Sequence, residues 1–270
     1  MATYTNQVFF VQMNDYSQIF SQRALQYHLA MQSYPHARDA EFQAILQDLP
    51  TTAIDILDVP SGGGYLQAYL SAEKRLQSCD FSAGFASEAV PLGSPAHLPF
   101  PPASFDAVFS LTGLHHVTVS NQVVFLSECR RVLRPGGRLI VGEVLLGSAV
   151  DAFLNQFVDQ HNSQGHQGEF FGEHFQASLR ASGFSNIKYA VRHYYWRFDD
   201  VDAMVFYCRN MFGIDKASDQ QIQQGLSDYL NYQENADGSI RLPWQLVFFQ
   251  AVNLYANINA SIAQTTLEST

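Results

Sequence analysis

An apolar run that ends in an acid and turns at once over three glycines lies between positions 53 and 66, AIDILDVPSGGGYL. The nearly unbroken β-branched and aliphatic side chains before the acid predict a strand covered on both faces, as in a parallel sheet. The glycines allow a sharp turn and let the backbone approach a ligand with no Cβ in the way. Residues 65–72 then predict a short helix whose N-terminus points into the same space. The stretch therefore predicts a cradle of the kind that binds nucleotides.

Strands and helices alternate after this cradle. Residues 74–79, 105–111 and 138–144 predict further strands, and residues 122–133 predict a helix between the last two. Asp58 and Asp80 each end a strand, and their separation, 80 − 58 = 22 residues, fits a strand, turn and helix repeat. Such alternation predicts a mostly parallel sheet with helices on both faces and ligand sites at the carboxyl ends of the strands.

Composition narrows the partners. The chain has 270 residues, 47% of them hydrophobic, which is enough for one substantial core. A formal net charge of -10 disfavours nucleic acid and anionic membranes as partners, because both normally require a basic face. Cys79, Cys129 and Cys208 lack CxxC spacing, which disfavours disulfides and zinc and favours a reducing cytoplasm. We also expect no signal peptide and no membrane-spanning helix.

The rest of the chain predicts helical additions to this core. We expect an N-terminal helical cap over residues 1–50, a core over residues 51–193 and 239–270, and a helical insert over residues 194–238. The remaining predicted elements are helices over 16–33, 37–46, 149–160, 175–181, 201–211 and 220–232, and strands over 187–191 and 244–252. We hypothesise that the cap and the insert together form a lid over the active site.

Four ordered motifs between positions 54 and 144 carry a family resemblance: DVPSGGG, SCDFSAG, HLPFPPASFDAVFSLTGLHHV and RRVLRPGGRLIVGEV. In this order they resemble the class I S-adenosylmethionine-dependent methyltransferases, particularly the small-molecule branch. The resemblance implies a Rossmann-like three-layer sandwich with a mostly parallel seven-stranded sheet whose last strand is antiparallel. It also implies S-adenosylmethionine as the cofactor and S-adenosylhomocysteine as the product.

The resemblance assigns roles to residues at the carboxyl ends of the strands. Asp58 and the backbone of the glycine turn would hold the methionine end of the cofactor, Asp80 would accept hydrogen bonds from the ribose hydroxyls, and Phe81 would flank the adenine. Pro60 departs from the family's usual glycine and cannot donate a hydrogen bond. Ser94 stands where the family often has an acid, so adenine recognition would lean on backbone or on His97. The full predicted cofactor set is Asp58, Pro60, Gly62, Gly63, Gly64, Asp80, Phe81, Ser94, His97 and Leu111.

A dinucleotide-binding site is the nearest competing interpretation, because Gly62 and Gly64 begin a GxGxxG pattern. The third glycine position of that pattern is Gln67, whose side chain is too bulky for the close helix–strand packing that the motif requires. We therefore favour the methyltransferase over a nicotinamide or flavin enzyme.

The acceptor side of the site is less determined by sequence. His116, which follows the strand over 105–111, is the favoured candidate general base, with a structural histidine as the alternative. The other candidate bases or substrate contacts are His115, His161, His166, His174 and His193. His115, Tyr194 and Trp196 are candidate substrate contacts, with a purely structural aromatic core as the alternative for the last two. Methyl transfer from a sulfonium requires mainly alignment, and a base only when the acceptor must lose a proton.

We predict no metal site. His161, His166 and His174 lie near Glu169 and Glu173, but their spacing is irregular for a metal site. Arg38 and Glu41, at helical spacing i and i+3, predict a surface ion pair.

Three functions remain open from the sequence. The first is an enzyme that methylates a small molecule at oxygen, nitrogen or carbon. The second is a cofactor-binding protein without turnover. The third is a protein or RNA methyltransferase, whose RNA form is disfavoured by the acidic balance. Oligomeric state is open.

Overall fold

The computed structural model describes residues 16–166 and 168–254. Within them, eight α-helices lie at Tyr16–Ser33 (α1), Asp39–Leu46 (α2), Val119–Val132 (α3), Ala149–Ala152 (α4), Asp159–His161 (α5), Phe175–Ala181 (α6), Val201–Phe212 (α7) and Asp219–Leu230 (α8). A π-helix, Phe153–Val158, joins α4 to α5, and 3-10 helices cover Tyr65–Tyr69 and Leu114–His116. The strands are Asp55–Asp58 (β1), Arg75–Ser78 (β2), Phe105–Leu111 (β3), Leu133–Glu143 (β4), Phe184–Phe198 (β5), Gln233–Glu234 (β6) and Ile240–Asn253 (β7).

The seven strands form one mixed sheet in the order β2-β1-β3-β4-β7-β5, with the two-residue β6 paired to β7. β1 is parallel to β2 and β3, and β3 is parallel to β4. β7 runs antiparallel to both β4 and β5. The predicted Rossmann-like sheet with an antiparallel last strand is confirmed.

Hydrophobic cores lie on both faces of this sheet because successive side chains of a strand point to opposite faces. Ile56 of β1 lies in one core and Leu57 in the other. Phe248 and Phe249 of β7 divide in the same way. Alternate strand residues are therefore buried on each face, which leaves the strand ends as the place where polar side chains can meet a ligand.

Local differences from the predicted elements have local causes. The helix predicted over 65–72 is a five-residue 3-10 helix that ends at Tyr69, so it is too short to present a helix dipole. β4 begins at Leu133, earlier than predicted. Leu133 pairs with Phe105 and Arg138 with Ala107, so the predicted turn at 134–137 lies within β4 as an irregularity in its pairing with β3.

Chain segments at both ends fall outside the description. The first 15 residues of the predicted cap and the last 16 residues of the predicted core lie outside the described residues. Cys79, Cys129 and Cys208 are buried and free. No helix among the described residues is long and apolar enough to cross a membrane.

Candidate active site

The glycine turn lies at the carboxyl end of β1, as the sequence predicts. Gly62, Gly63 and Gly64 have φ values of 56°, 97° and 80°, a region that L side chains rarely adopt. A Cβ on Gly63 would meet the His28 ring at 2.5 Å, and one on Gly62 would meet the Tyr27 hydroxyl at 3.2 Å. The glycines are therefore required by the close approach of α1, which lies across the turn.

A cavity of about 50 Å³ lies beside this turn. We call it the glycine cavity; it is lined by Asp58, Pro60, Ser61, Gly62, Leu111 and Thr112, together with aromatic side chains of α1. Asp58, Pro60, Gly62 and Leu111 belong to the cofactor set predicted from sequence.

Asp58 is buried, and within the described residues its carboxylate has no hydrogen bond that offsets this burial. Burial, and then the negative charge of Asp80, raise the pKa of Asp58 well above its ordinary value. The Ser61 hydroxyl is also buried without a hydrogen-bond partner in the described chain. A buried acid and a free hydroxyl facing one cavity fit a cationic, hydrogen-bonding ligand such as an amino acid end.

Asp80 already has hydrogen-bond donors on both carboxylate oxygens. Oδ2 accepts from the Tyr16 hydroxyl at 3.0 Å and from the Gly62 N–H at 2.8 Å, and Oδ1 accepts from the Ser82 N–H at 2.9 Å. Burial raises the pKa of Asp80 to about 6, and these donors oppose the rise. The Tyr16 hydroxyl thus donates to the carboxylate that, by the family resemblance, would accept hydrogen bonds from the ribose.

The predicted adenine side lies outside the lining of the glycine cavity. Phe81 is buried and packs edge-on against Tyr16 and Phe125, at centroid distances of 5.9 and 5.7 Å. Ser94 and His97 pair in a tight turn, with His97 exposed. Their predicted adenine contacts stay predictions.

A second cavity of about 70 Å³ adjoins the first. We call it the histidine cavity because His115, His116 and His166 line it; Trp196, Trp244 and Met211 form much of its apolar wall. Phe20, Tyr27, Arg38 and Thr112 line both cavities, so the two adjoin and share these side chains as a wall.

The histidine pair after β3 lies at the carboxyl end of the sheet. His115 Nδ1 lies 2.7 Å from a carboxylate oxygen of Glu143, the buried last residue of β4. Burial, and then the nearby His115 and His166, lower the pKa of His116 well below its ordinary value. His116 is therefore a neutral imidazole at physiological pH.

The two predicted aromatic contacts differ in their surroundings. Trp196 lines the histidine cavity, stacks on Trp244 at 4.1 Å and donates Nε1–H to Glu41 at 2.8 Å. Tyr194 is partly buried and packs against the core beside that cavity rather than lining it.

Arg38 and Glu41 correct a sequence prediction. The expected surface pair is wrong: their side chains are 5% and 0% exposed and form a buried ion pair on the cavity wall. The i, i+3 spacing is the same on a buried face as on an exposed one, and only the packing of α2 under Trp196 distinguishes them.

Several site residues were not found by sequence reasoning. They are Tyr16 and Tyr27 of α1, Phe85, Glu143 and Trp244. His166 is among the candidate bases or substrate contacts, but its position beside His115 was not predicted. Glu143 could have been found, since it ends β4 as Asp58 ends β1. The others come from distant segments and carry no local signal.

Comparison with known proteins agrees with this fold. Residues 57–141 match a family model described as a methyltransferase domain. This match and the fold identify the segment as a class I S-adenosylmethionine-dependent methyltransferase domain, and the predicted class is confirmed.

The relatives share this part of the chain. A demethylmenaquinone methyltransferase of Beutenbergia cavernae is 42% identical over 97 residues, which are 33% of this chain and 40% of that protein. A 27-O-demethylrifamycin SV methyltransferase of Amycolatopsis mediterranei is 51% identical over 49 residues, 18% of this chain and 17% of that one. The chain thus matches less than half the length of these relatives.

The solved structures agree in fold. An S-adenosylmethionine-dependent methyltransferase of Thermotoga maritima superposes with a TM-score of 0.58 at 18% identity, covering 88% of this chain and 99% of that one. The phosphoethanolamine N-methyltransferase 2 of Haemonchus contortus, in complex with phosphomonomethylethanolamine and S-adenosylhomocysteine, gives 0.54 at 18% identity, covering 90% and 60%.

Proposed function

We propose that this protein transfers a methyl group from S-adenosylmethionine to a small-molecule acceptor held in the histidine cavity. The main support for the proposal is that the two cavities lie side by side and share a wall. Asp58 and the glycine turn lie on one side and the histidines and tryptophans on the other, with Phe20, Tyr27, Arg38 and Thr112 shared between them. Two ligands in these cavities would meet at the shared wall.

The residues of the glycine cavity fit the cofactor. The buried Asp58 carboxylate would accept hydrogen bonds from the ammonium group of the methionine end. The Ser61 hydroxyl, which has no partner in the described chain, would bind beside it. Asp80 would exchange the Tyr16 hydroxyl for a ribose hydroxyl. The cofactor supplies a methyl group on a sulfonium with a good leaving group; the protein supplies alignment, which can contribute about 7 to 11 kcal/mol.

The histidine cavity fits an acceptor that is largely apolar and carries an oxygen. Stacked Trp196 and Trp244 give it aromatic walls. Two buried N–H donors on its lining, Arg38 Nε and Trp244 Nε1, have no hydrogen-bond partner in the described chain. An oxygen atom of the acceptor would satisfy them, since buried donors are nearly always paired. Relatives named for demethylmenaquinone and demethylrifamycin support an acceptor of this class.

A proton acceptor is available where the acceptor loses a proton. His116 is neutral and lines the cavity, as a general base must be. A neutral imidazole is also the form that binds a metal ion.

The lid hypothesis accords with the positions of α1 and α7. Side chains of α1 line both cavities, and Met211 and Phe212 at the end of α7 line the histidine cavity. Both elements thus reach the carboxyl side of the sheet. We propose that they close over the bound ligands and exclude water.

Two measurements test the proposal. Calorimetric titration with S-adenosylhomocysteine should show binding that Asp58→Asn weakens and that the exposed control Asp199→Asn leaves unchanged. Radiolabelled S-adenosylmethionine should then label an acceptor from a panel of quinols, phenols and phosphoethanolamine.

The outcomes separate the remaining hypotheses. Binding without labelling of any compound would favour a cofactor-binding protein without turnover. A folded protein that does not bind S-adenosylhomocysteine would overturn the proposal.

A further inference from the structure

Three imidazoles from two separate segments meet on the wall of the histidine cavity. His115 and His116 lie in the 3-10 helix after β3, and His166 lies in the loop after α5. All three are buried, and each offers one ring nitrogen such that the three nitrogens lie within 4.8 Å of one another. Sequence reasoning did not find this cluster and predicted no metal site, because 50 residues separate His166 from His116 (166 − 116 = 50).

The hydrogen bonds of His115 leave one nitrogen free to bind a ligand. Its Nδ1 lies 2.7 Å from Glu143 Oε2, and Glu143 Oε1 accepts the Leu114 N–H at 2.6 Å. The carboxylate is fully buried and held by backbone, so His115 donates through Nδ1 and keeps the Nε2 lone pair. A metal-binding histidine commonly has such a carboxylate behind it.

His166 is oriented in the same way by an amide. Its Nδ1 lies 3.3 Å from Asn155 Oδ1, and that oxygen also accepts the Gly168 N–H at 3.1 Å. Because Asn155 Oδ1 is an acceptor, His166 donates through Nδ1 and keeps the Nε2 lone pair. His116 has no hydrogen-bond partner for its ring within the described residues.

We propose that His115, His116 and His166 bind one divalent transition-metal ion of the zinc type, with Glu143 and Asn155 as positioning residues. Zinc–nitrogen bonds of about 2.05 Å at tetrahedral angles place the ligand nitrogens about 3.3 Å apart. In the structure the three nitrogens lie at most 4.8 Å apart. To reach the zinc-binding separation, each has to move toward the centre of the cluster by no more than about 0.8 Å. Rotation of the rings suffices for a movement of this size.

The fourth position of the ion faces the histidine cavity, since all three histidines line it. A site of three histidines with one open position is the arrangement of a metal that binds substrate or water. Arg23 lines the same cavity, and its positive charge opposes the ion but favours an anionic fourth ligand. Within the methyl transfer proposed above, this site therefore takes an acceptor with an acidic O–H group, such as a phenol or an enol. Its oxygen binds the ion and its proton is released to water, so with the ion bound His116 is a ligand and no longer the base.

The test uses the full chain and Zn²⁺ or Co²⁺ alone, without cofactor or acceptor. After chelation and dialysis, calorimetry should show one Zn²⁺ bound per chain, and Co²⁺ should give the intense visible bands of four-coordinate cobalt. His166→Gln should weaken Zn²⁺ binding at least 100-fold, and Asn155→Ala should weaken it by about 10- to 100-fold. The exposed control His193→Gln should change nothing.

The Co²⁺ spectrum of the wild-type protein tests the metal site even if a variant fails to fold. Co²⁺ that remains six-coordinate in the wild-type protein, or Zn²⁺ affinity unchanged in a folded His166→Gln, would overturn the metal site. Neither result bears on S-adenosylhomocysteine binding, so the metal site and the proposed methyl transfer fail separately.

Discussion

Asp58 ends β1 and Asp80 lies two residues beyond β2; both acids are buried, and at the residue scale their titration has a measurable consequence. The pKa of Asp80 is about 6 in the folded protein against 3.8 as its ordinary value. Because the folded state binds the proton more tightly, this group's stabilising contribution is present below about pH 4 and is lost as pH rises through 6. The difference corresponds to about 3 kcal/mol. Asp58, raised in the same direction, adds to it.

We therefore expect Asp80→Asn to flatten the dependence of the unfolding free energy on pH between 4 and 7. Denaturant unfolding at a series of pH values measures it. Asp199→Asn, an exposed substitution, is the control and should leave the dependence unchanged. A wild-type unfolding free energy that changes with pH in the same way as that of Asp80→Asn would contradict the assignment.

The buried ion pair of Arg38 and Glu41 should contribute measurably to the free energy of unfolding. Glu41 also accepts the Trp196 Nε1–H, so Glu41→Ala would leave a buried guanidinium and a buried indole donor without this partner. The expected loss of unfolding free energy is about 3 to 5 kcal/mol. Asp219→Ala breaks a pair with Arg209 in which Asp219 is 78% exposed, and should cost less than about 1 kcal/mol. Equal losses in the two variants would show that Glu41 is solvated.

At the scale of elements, α1 covers the glycine turn, and the glycine cavity beneath it is small. Its volume of about 50 Å³ is well below the roughly 300 Å³ at which pockets for small ligands begin. Binding of the cofactor in this cavity and on Asp80, as proposed above, therefore requires α1 to move and the hydrogen bond from Tyr16 to Asp80 to break.

Tyr16→Phe should accordingly tighten S-adenosylhomocysteine binding, by up to about tenfold, because a hydrogen bond to a charged group is worth about 1.5 to 3 kcal/mol and part of that is recovered by water. Calorimetry measures the affinity, with the exposed Tyr189→Phe as the control. Weaker binding in Tyr16→Phe would instead make the Tyr16 hydroxyl a cofactor ligand.

The contact between α1 and the glycine turn can be tested through two glycines of similar conformation. Gly63 has a φ of +97°, and a Cβ at this position would lie 2.5 Å from the His28 ring. Gly147 has a φ of +76°, and a Cβ there would have no neighbour within 4 Å. Gly147→Ala should cost about 1 to 2 kcal/mol from backbone strain alone. Gly63→Ala should cost more in thermal unfolding, and His28→Ala in the same chain should restore part of the difference. Equal costs would mean that α1 does not pack on the turn.

At the scale of the whole molecule, the two cavities lie between the sheet and elements from both halves of the chain. A ligand bound between the sheet and these elements should therefore raise the free energy of unfolding of the whole domain. S-adenosylhomocysteine at 100 times its dissociation constant should add about 2.7 kcal/mol, a rise of about 5 to 10 °C in melting temperature. Asp58→Asn should lose most of this rise at the same ligand concentration. A Tm that does not respond to the ligand in the wild-type protein would mean that the ligand does not bind the folded state in preference to the unfolded chain, and would contradict the proposed site.

The sheet and the cofactor half of the site follow from the order of the amino acids. Buried parallel strands require continuous apolar runs, a tight turn requires glycine, and the acids at strand ends meet because the carboxyl ends of parallel strands share one edge. These are local signals, so the positions of Asp58, Gly62 and Leu111 at the carboxyl ends of β1 and β3 could be predicted from the sequence alone.

The acceptor half of the site depends instead on how distant segments pack. The burial of Arg38 and Glu41, the meeting of His166 with His115, and the placement of Tyr16 on Asp80 all join segments far apart in sequence. Helical spacing fixes which residues share a face but not what covers that face, and chain separation does not encode distance in space. For that reason the cofactor class follows from the sequence, while the chemistry of the histidine cavity follows from the fold.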